Sequence, residues 1–312
     1  MSSQLAFVFP GQGSQSVGML AELAAQFPLV GQTFAEASAG AGVDLWRLAS
    51  EGPAATLNST ENTQPALLAA SVAVWRVWQA QGGATPAMLA GHSLGEYSAL
   101  VCAGALSLHD GAVLVAERGR LMQQAVPAGV GAMAAILGGD DEAIAQVCRE
   151  VAGDEVVAPA NFNSPGQVVI SGNAAAVDRA LEKLSGMGVK KVVKLAVSVP
   201  SHCMLMREAA DKLAERMQAL NWQVPSVPVV QNVDAAAHDD LADIQQALQQ
   251  QLFMPVRWTD CVKTLAGAGI TRLAECGPGK VLTGLSKRID RALEGRAIGT
   301  PDGLADALEA WA

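Results

Sequence analysis

Short apolar runs alternate with longer amphipathic stretches along most of the chain. Residues 5–13 form a buried strand that runs into a Gly-rich turn, residues 64–81 have helical spacing of apolar positions, and residues 87–91 are again a short apolar run. A short run predicts a buried strand, and apolar positions three and four apart predict a helix. Strands alternating with helices are typical of a mostly parallel sheet covered by helices. The pattern predicts an α/β fold.

A different order interrupts this alternation after residue 126. It consists of strand-like and helix-like segments in the order βαββαβ, at residues 131–137, 141–151, 156–162, 167–171, 174–187 and 189–197. This is the order of the split βαβ, ferredoxin-like arrangement. The sequence therefore predicts a small domain at residues 127–197, inserted into a large domain made of residues 1–126 and 198–312.

The large domain has further predicted elements on both sides of this insertion. Helices are predicted at residues 94–102, 109–125, 204–220, 241–252, 258–267 and from 281, and strands at 227–230 and 271–276.

Composition and charge narrow the class of protein. Half of the residues are hydrophobic (50%) and 16% are charged, so the 312 residues can bury a sizeable core and disorder is excluded. The net charge of −9 opposes binding to nucleic acid or to an anionic membrane surface. The most apolar helical run, residues 65–75, is shorter than the ~18 residues typical of a membrane span. We expect neither a nucleic acid nor a membrane partner.

The cysteines and the N-terminus suggest a cytoplasmic protein. The five cysteines are widely spaced, without a Cys-x-x-Cys pair or a zinc-ligand pattern, which favours a reduced compartment and no metal site. Residues 1–4 lack the cationic start of a signal peptide.

A candidate nucleophile lies between a predicted strand and a predicted helix. Residues 91–95, Gly-His-Ser-Leu-Gly, match the G-x-S-x-G pattern of a nucleophile elbow. The turn is so sharp that its flanking positions exclude side chains, which accounts for both glycines. The alternative is an ordinary Gly-Ser turn, but the strand-turn-helix context favours Ser93 as a nucleophile.

A serine nucleophile needs a base, and the chain has four histidines. His238 lies in a polar loop, His109 lies at a helix start, and His92 flanks the serine on a turn that directs neighbouring side chains away from it. His202 lies in a loop where the two predicted domains meet, which favours it as the general base. A loop histidine bonded only to backbone is the alternative.

Two Gly-rich turns and one arginine complete the candidate chemistry. Residues 11–15 and 277–281 do not match the phosphate-loop patterns. The turn at 11–15 is better suited to present one backbone N–H of an oxyanion hole, and Leu94 would supply the other N–H.

Arg118 lies on the second helix after Ser93. It either forms a surface salt bridge or grips a substrate carboxylate with its planar fork.

Several motifs occur in one order along the chain: FPGQGSQ at 9–15, GHSLGE at 91–96, RG and MQ at 118–123, NFNSPGQ at 161–167, VPSH at 199–202 and ECGPG at 275–279. Together they resemble the malonyl-CoA:acyl carrier protein transacylases of bacterial type II fatty acid synthesis. The resemblance implies an α/β-hydrolase-like large domain with a parallel sheet and an inserted ferredoxin-like small domain. It also implies malonyl-CoA as substrate, an acidic acyl carrier protein as partner, and no bound cofactor, because the carrier protein brings the phosphopantetheine. We expect a monomer.

The resemblance also assigns roles to individual residues. Ser93 would be the nucleophile, His202 its base, and the backbone carbonyl of Gln251 the group that orients the histidine. Gln12 and Leu94 would supply oxyanion-hole N–H groups. Arg118 would bind the malonyl carboxylate, and the small Ser201 would leave room for an α-methyl group on the acyl chain.

Three other functions stay open on the sequence. A serine esterase or thioesterase shares the G-x-S-x-G pattern, and its acid would lie among Asp154, Glu155 and Asp178 between the serine and the histidine. A trans-acting acyltransferase of polyketide synthesis would use the same chemistry. A non-catalytic acyl-binding subunit would keep the fold without forming an acyl-enzyme.

Overall fold

The computed structural model describes residues 4–127, 129–195 and 199–311. Numbered along the chain, the strands are β1 Leu5–Phe9, β2 Met88–Gly91, β3 Gly131–Leu137, β4 Val157–Ser164, β5 Gln167–Asn173, β6 Lys191–Lys194, β7 Val229–Val230, β8 Arg272–Glu275 and β9 Glu294–Ala297. They form a five-stranded sheet of order β7-β2-β1-β8-β9, in which all neighbours are parallel, and a four-stranded antiparallel sheet of order β4-β5-β3-β6.

Helices cover both sheets. They are α1 Ala21–Gln26, α2 Leu29–Ala41, α3 Leu45–Glu51, α4 Ala54–Leu57, α5 Thr60–Ala80, α6 Leu94–Cys102, α7 Leu108–Ala125, α8 Asp141–Ala152, α9 Ala174–Gly186, α10 Arg207–Met217, α11 Leu241–Gln251, α12 Trp258–Gly267, α13 Val281–Ile289 and α14 Pro301–Trp311. Among the described residues, none of these helices has the length and hydropathy needed to cross a membrane.

The predicted α/β class and the βαββαβ order are confirmed. The antiparallel sheet contains β3 to β6, with α8 and α9 between them, as the pattern indicated. The last predicted strand, 189–197, is shorter than expected, because it pairs with β3 only over Lys191–Lys194, and residues 196–197 lie outside the described residues. Residue 198, the predicted restart of the large domain, also lies outside them. The domain bounds stay a prediction.

Other elements differ from their predicted bounds. The helix predicted at 204–220 begins as a 3-10 turn at Met204–Met206, continues as α10 and ends at Met217. Strand β9 was not predicted because its sequence, Glu-Gly-Arg-Ala, has no apolar run and lies at the edge of the parallel sheet.

Strand β1 lies at the centre of the large core. Its five residues are buried on both faces, as expected for a parallel strand between two helical layers. Phe7 contacts Trp75 and Trp78 of α5 edge-on, with ring centroids 5.2 and 5.3 Å apart. The carboxyl ends of β1, β2 and β7 therefore meet at one edge, where α/β sheets place their ligand sites.

Backbone hydrogen bonds join the antiparallel sheet to the rest of the protein. The Phe162 N–H donates to the Val256 carbonyl (2.9 Å), and the Val256 N–H donates to the Ala160 carbonyl (2.8 Å). Strand β4 thus lies beside the segment that leads into α12. These hydrogen bonds hold one side of the cleft between the two sheets in place.

Candidate active site

Ser93 lies on the sharp turn between β2 and α6, with φ 52° and ψ −111°. A Cβ at Gly91 would lie 1.9 Å from the carbonyl carbon of Gly95, and a Cβ at Gly95 would lie 2.0 Å from the Phe9 carbonyl oxygen. Only glycine fits at either position, which is the physical reason predicted for the two glycines. A positive φ at a non-glycine residue is strained, and such strain is concentrated at functional sites.

His202 reaches Ser93 from the loop just before the 3-10 turn at Met204–Met206. The Ser93 hydroxyl donates to His202 Nε2 at 2.8 Å, and His202 Nδ1 donates to the Gln251 carbonyl at 2.6 Å. A carbonyl only accepts, so Nδ1 carries the proton and Nε2 is the free base. His202 also has a positive φ of 60°.

The environment of His202 keeps the imidazole neutral. Burial, and then the positive charge of Arg118, lower the pKa of His202 from 6.5 to about 3. Because a neutral Nε2 can accept the serine proton, the base is available throughout the physiological pH range.

Arg118 of α7 is buried rather than on the surface, so the surface salt-bridge alternative is wrong. The side chain is 1% exposed, and its guanidinium lies 5.2 Å from the ring centre of Tyr97. Nη1 donates to Gln64 Oε1 (2.8 Å), while Nη2 donates to Gln251 Oε1 (3.0 Å) and to Ser93 Oγ (3.3 Å). These acceptors are neutral. Among the described residues the guanidinium thus donates to neutral acceptors, and a guanidinium in this state can also pair with the carboxylate of a bound molecule.

Ser93, His202 and Arg118 line one cavity of about 300 Å³, together with Gln12 and Leu94. Leu94 is the first residue of α6, and Gln12 lies in the loop after β1. That loop packs closely against the elbow, since a Cβ at Gly11 would lie 2.5 Å from the His92 carbonyl oxygen. The cavity thus contains the two residues whose N–H groups are expected to form the oxyanion hole.

The other histidines do not bond to the serine. His92 Nε2 bonds to Asn163 Oδ1 of β4 at 2.8 Å, and the ring packs on Trp258. His109 lies in the first turn of α7 beside Asp110, and His238 bonds to Asp234 at 2.7 Å. His202 is therefore the histidine whose place matches the predicted base.

The acids required by an esterase triad lie elsewhere. Asp178 pairs with Lys194, Glu155 pairs with Arg179, and Asp154 is exposed. Because the Gln251 carbonyl takes the proton of His202 Nδ1, Ser93 and His202 form a dyad supported by a neutral acceptor.

The second Gly-rich turn does not form an anion site. The carboxylate of buried Glu275 accepts from the backbone N–H groups of Leu282 and Thr283, in the first turn of α13. A carboxylate thus already occupies the helix N-terminus where a phosphate would bind. Among the described residues, no group of three or more His, Cys, Asp or Glu side chains could hold a metal ion.

Three polar residues at the site had no predicted role: Gln64, Asn163 and Asn232. Gln64 bonds to Arg118, Asn163 to His92, and Asn232 Oδ1 accepts from the Ser93 N–H at 2.8 Å. One feature of the sequence could have identified Asn232 as a site residue. It comes two residues after β7, at the carboxyl end of a parallel strand, where functional side chains gather.

Known proteins share both the sequence and the fold of this chain. The acyl transferase domain family matches residues 6–286. The malonyl CoA-acyl carrier protein transacylase of Salmonella typhimurium is 58% identical over 306 residues, which cover 98% of this chain and 99% of the relative. The crystal structure of a malonyl-CoA:acyl carrier protein transacylase from Xanthomonas oryzae pv. oryzae is 65% identical with a TM-score of 0.99, and the match covers 100% of both chains.

A further solved structure includes a carrier protein. It is a malonyl-transacylase in complex with its type II polyketide synthase acyl carrier protein. It is 54% identical to this chain with a TM-score of 0.97, and the match covers 99% of this chain and 100% of that one.

Proposed function

The chain belongs to the acyl transferase family, and from that premise we propose that it moves a malonyl group from malonyl-CoA to the phosphopantetheine thiol of an acyl carrier protein. The observation that carries this proposal is the 2.8 Å contact of Ser93 Oγ with His202 Nε2, beside the buried Arg118, whose hydrogen-bond acceptors among the described residues are neutral side chains. The dyad supplies acyl transfer, and the arginine supplies selection of an acid.

The first half-reaction forms a malonyl-serine ester. Ser93 Oγ attacks the thioester carbonyl while its proton passes to His202 Nε2. The N–H groups of Gln12 and Leu94 stabilise the oxyanion of the tetrahedral intermediate. As the intermediate collapses, the C–S bond breaks and coenzyme A leaves with the proton from His202.

The second half-reaction runs the same chemistry in reverse. The carrier thiol gives its proton to His202 and attacks the ester, and the proton then returns to Ser93 Oγ as the C–O bond breaks. The Gln251 carbonyl orients His202 in both steps by accepting from Nδ1 (2.6 Å). No bound cofactor is required by this sequence of steps. We propose that the enzyme acts as a cytoplasmic monomer.

Intact-mass spectrometry tests the proposal directly. After mixing with malonyl-CoA, the protein should gain the mass of one malonyl group, and adding holo acyl carrier protein should move that mass to the carrier. Loss of the label to water before carrier is added would instead support the hydrolase. Absence of any adduct would support an acyl-binding subunit.

The pathway is part of the proposal. We propose fatty acid synthesis, with trans-acting polyketide synthesis as the alternative, since the solved complex contains a polyketide carrier. Comparing kcat/KM for a fatty acid carrier and for a polyketide carrier from the same organism separates the two.

We predict that Arg118→Ala changes the acyl selectivity. Leaving a buried charge unpaired typically costs about 2–5 kcal/mol, roughly 30-fold to a thousandfold or more in rate. Malonyl transfer should fall by such a factor, while acetyl transfer should hold or rise because the unpaired guanidinium no longer opposes a neutral group. The measurement is the malonyl-to-acetyl ratio of kcat/KM.

Two companions sharpen this test. Arg118→Lys should recover only part of the malonyl activity, because it keeps the charge without the fork. Arg120→Ala is the matched control, since Arg120 is on the same helix but exposed and paired with Glu117. An unchanged ratio in Arg118→Ala would show that another group recognises the carboxylate.

Two basic clusters flank the cavity and are proposed to bind the acidic carrier. The small-domain cluster is Lys190, Lys191 and Lys194, and the large-domain cluster is Lys280, Lys287 and Arg288. Each adjoins the cavity wall: Leu195 follows the first, and Leu285 of α13 lies beside the second. Arg288 Nη1 also donates to Gln167 Oε1, across the cleft (2.8 Å). A protein of net charge −9 needs such local cations to attract an acidic partner.

We expect charge reversal in both clusters to slow transfer to the carrier. The variant Lys191→Glu/Lys194→Glu/Lys287→Glu/Arg288→Glu should raise the KM for carrier most strongly at low salt, where steering is strongest. Acylation by malonyl-CoA, measured alone by mass, identifies any separate effect on that step.

The control reverses the charge of two cations that lie away from the cavity. Arg47→Glu/Lys212→Glu changes two exposed cations that do not line the cavity, and it is compared with the double variants Lys191→Glu/Lys194→Glu and Lys287→Glu/Arg288→Glu. Equal KM values for carrier in cluster and control variants at low salt would rule the clusters out.

A further inference from the structure

The main chain of Ser93 is held by side chains from two distant parts of the sequence. The Ser93 N–H donates to Asn232 Oδ1 (2.8 Å), and Gln251 Nε2 donates to the Ser93 carbonyl (3.0 Å). The positive φ of Ser93 is a high-energy conformation, which persists only when surrounding contacts over-determine it. These two amides are therefore candidates for the contacts that maintain the strained turn.

Asn232 bridges the turn with both ends of its amide. While Oδ1 accepts from the Ser93 N–H, Nδ2 donates to the Gly91 carbonyl at 2.7 Å. One fully buried side chain thus fixes the residue before the turn and the residue at its tip. This pair of bonds needs one donor and one acceptor on the same short side chain, which asparagine supplies.

Asn232 is itself fixed by Glu96 of α6. The Asn232 N–H donates to Glu96 Oε2 at 2.7 Å, and Glu96 is fully buried on the first turn of the helix that follows Ser93. Burial raises the pKa of Glu96 to about 8. Oε2 can accept from the Asn232 N–H whether the carboxyl is protonated or ionised, so Glu96 anchors the loop after β7.

We propose that Asn232 is a positioning residue for the nucleophile: it holds the residue 91–93 turn so that Ser93 Oγ meets His202 Nε2 and the Leu94 N–H faces the cavity. The inference rests on the proposed function for its substrate. Without the amide, the turn relaxes toward ordinary backbone angles and Oγ leaves its position.

The test is the single-turnover rate of Ser93 acylation at saturating malonyl-CoA, followed by rapid quench and intact mass. Misplacing a reacting group by about 1 Å costs about a hundredfold, so Asn232→Ala should slow this step by about 10- to 100-fold. Affinity for malonyl-CoA, measured in the Ser93→Ala background with and without Asn232→Ala, should not change. A general structural defect would weaken binding as well.

Gln231→Met is the matched control. Gln231 precedes Asn232, is equally buried, and its side-chain amide has no hydrogen-bond partner among the described residues. An apolar side chain of similar shape should therefore be accepted there, and the acylation rate should stay at the wild-type value. A fall equal to that of Asn232→Ala would assign the effect to the loop as a whole and overturn the proposal.

Asn232→Asp provides a second variant with its own signature. A protonated carboxyl has one acceptor for the Ser93 N–H and one donor for the Gly91 carbonyl, whereas the ionised form has no donor. The acylation rate relative to wild type should therefore rise as pH falls. The titratable or charged groups around this position are Glu96, Arg118, His202, Asp234 and Cys261, so the wild-type profile recorded over the same pH range is the reference against which the effect of the residue-232 carboxyl is measured. A pH-independent ratio would contradict the proposal.

A serine-directed sulfonyl fluoride separates this inference from the proposed function. It reacts with Ser93 without any malonyl group, and Asn232→Ala should slow that reaction by a similar factor. If wild-type protein reacts with the probe but gains no malonyl mass, the proposed function fails and the positioning role is still measured. Equal probe rates in wild type and folded Asn232→Ala would overturn the positioning role.

Discussion

Ser93→Ala should abolish the covalent malonyl adduct completely. The acyl group has to be carried by an oxygen that is both deprotonated by His202 and aimed at the cavity, and Ser93 Oγ meets both conditions at 2.8 Å from Nε2. Alanine removes the only atom that forms the ester bond. Intact mass after brief exposure to malonyl-CoA should show one added malonyl group in wild type and none in the variant.

Ser201→Ala serves as the control for this result. Ser201 lines the same cavity and precedes the base, but its hydroxyl is not the one bonded to His202 Nε2. This variant should still be labelled, with the modified peptide containing residue 93. Labelling that persists in Ser93→Ala would assign the ester to another residue.

The sharp turn at Ser93 was predictable because its constraints are local. Gly91 and Gly95 are required because a Cβ at either position would lie within 2.0 Å of backbone atoms. Both glycines belong to the five consecutive residues 91–95, so the sequence pattern alone shows the requirement. Helix α6 follows at once, and its observed bounds, Leu94–Cys102, are those expected from apolar spacing. His202 could also be singled out, because the chain has only four histidines and the other three had local explanations.

The environment of the dyad was not predictable in the same way. Gln64, Asn232 and the side chain of Gln251 come from three separate parts of the chain, and their contacts with Arg118 and Ser93 exist only once α5, α11 and the loop after β7 have packed. An isolated glutamine or asparagine has no spacing that distinguishes a buried bond from a solvated one. The burial of Arg118 was equally open, because sequence alone left a surface salt bridge as an alternative.

The folded environment indicates how the proposed Ser93–His202 dyad would work without an acid. The Gln251 carbonyl fixes the tautomer of His202 but supports the imidazolium less than a carboxylate would. Nearby Arg118 further disfavours a charged His202 in the free enzyme. A malonyl carboxylate bound to Arg118 would offset that positive charge, so the substrate itself should make His202 a stronger base during the reaction.

His202→Ala should slow acylation by about 10²- to 10⁴-fold, the range usual for losing a general base. The pH profile should change as well. Burial, and then Arg118, lower the pKa of His202 in the free enzyme to about 3, so the base is neutral before substrate binds and the acylation rate at low malonyl-CoA, which reports the free enzyme, should not fall as pH drops from 8 to 5. In the variant only solvent base can take the serine proton, so the rate should rise with pH over the same interval. Single-turnover mass measurements give both profiles.

Two comparisons make the assignment of the base specific. Added imidazole should partly restore acylation in His202→Ala, because it can occupy the vacated space beside Ser93 and accept its proton. It should not accelerate His92→Asn, since His92 bonds to Asn163 rather than to the serine.

The second comparison removes a charge. Arg118→Ala takes away one cause of the lowered His202 pKa, so that pKa should move up toward 6.5 and the acid limb of the profile should move to higher pH. A wild-type rate that falls tenfold between pH 8 and pH 5 would contradict a neutral buried base.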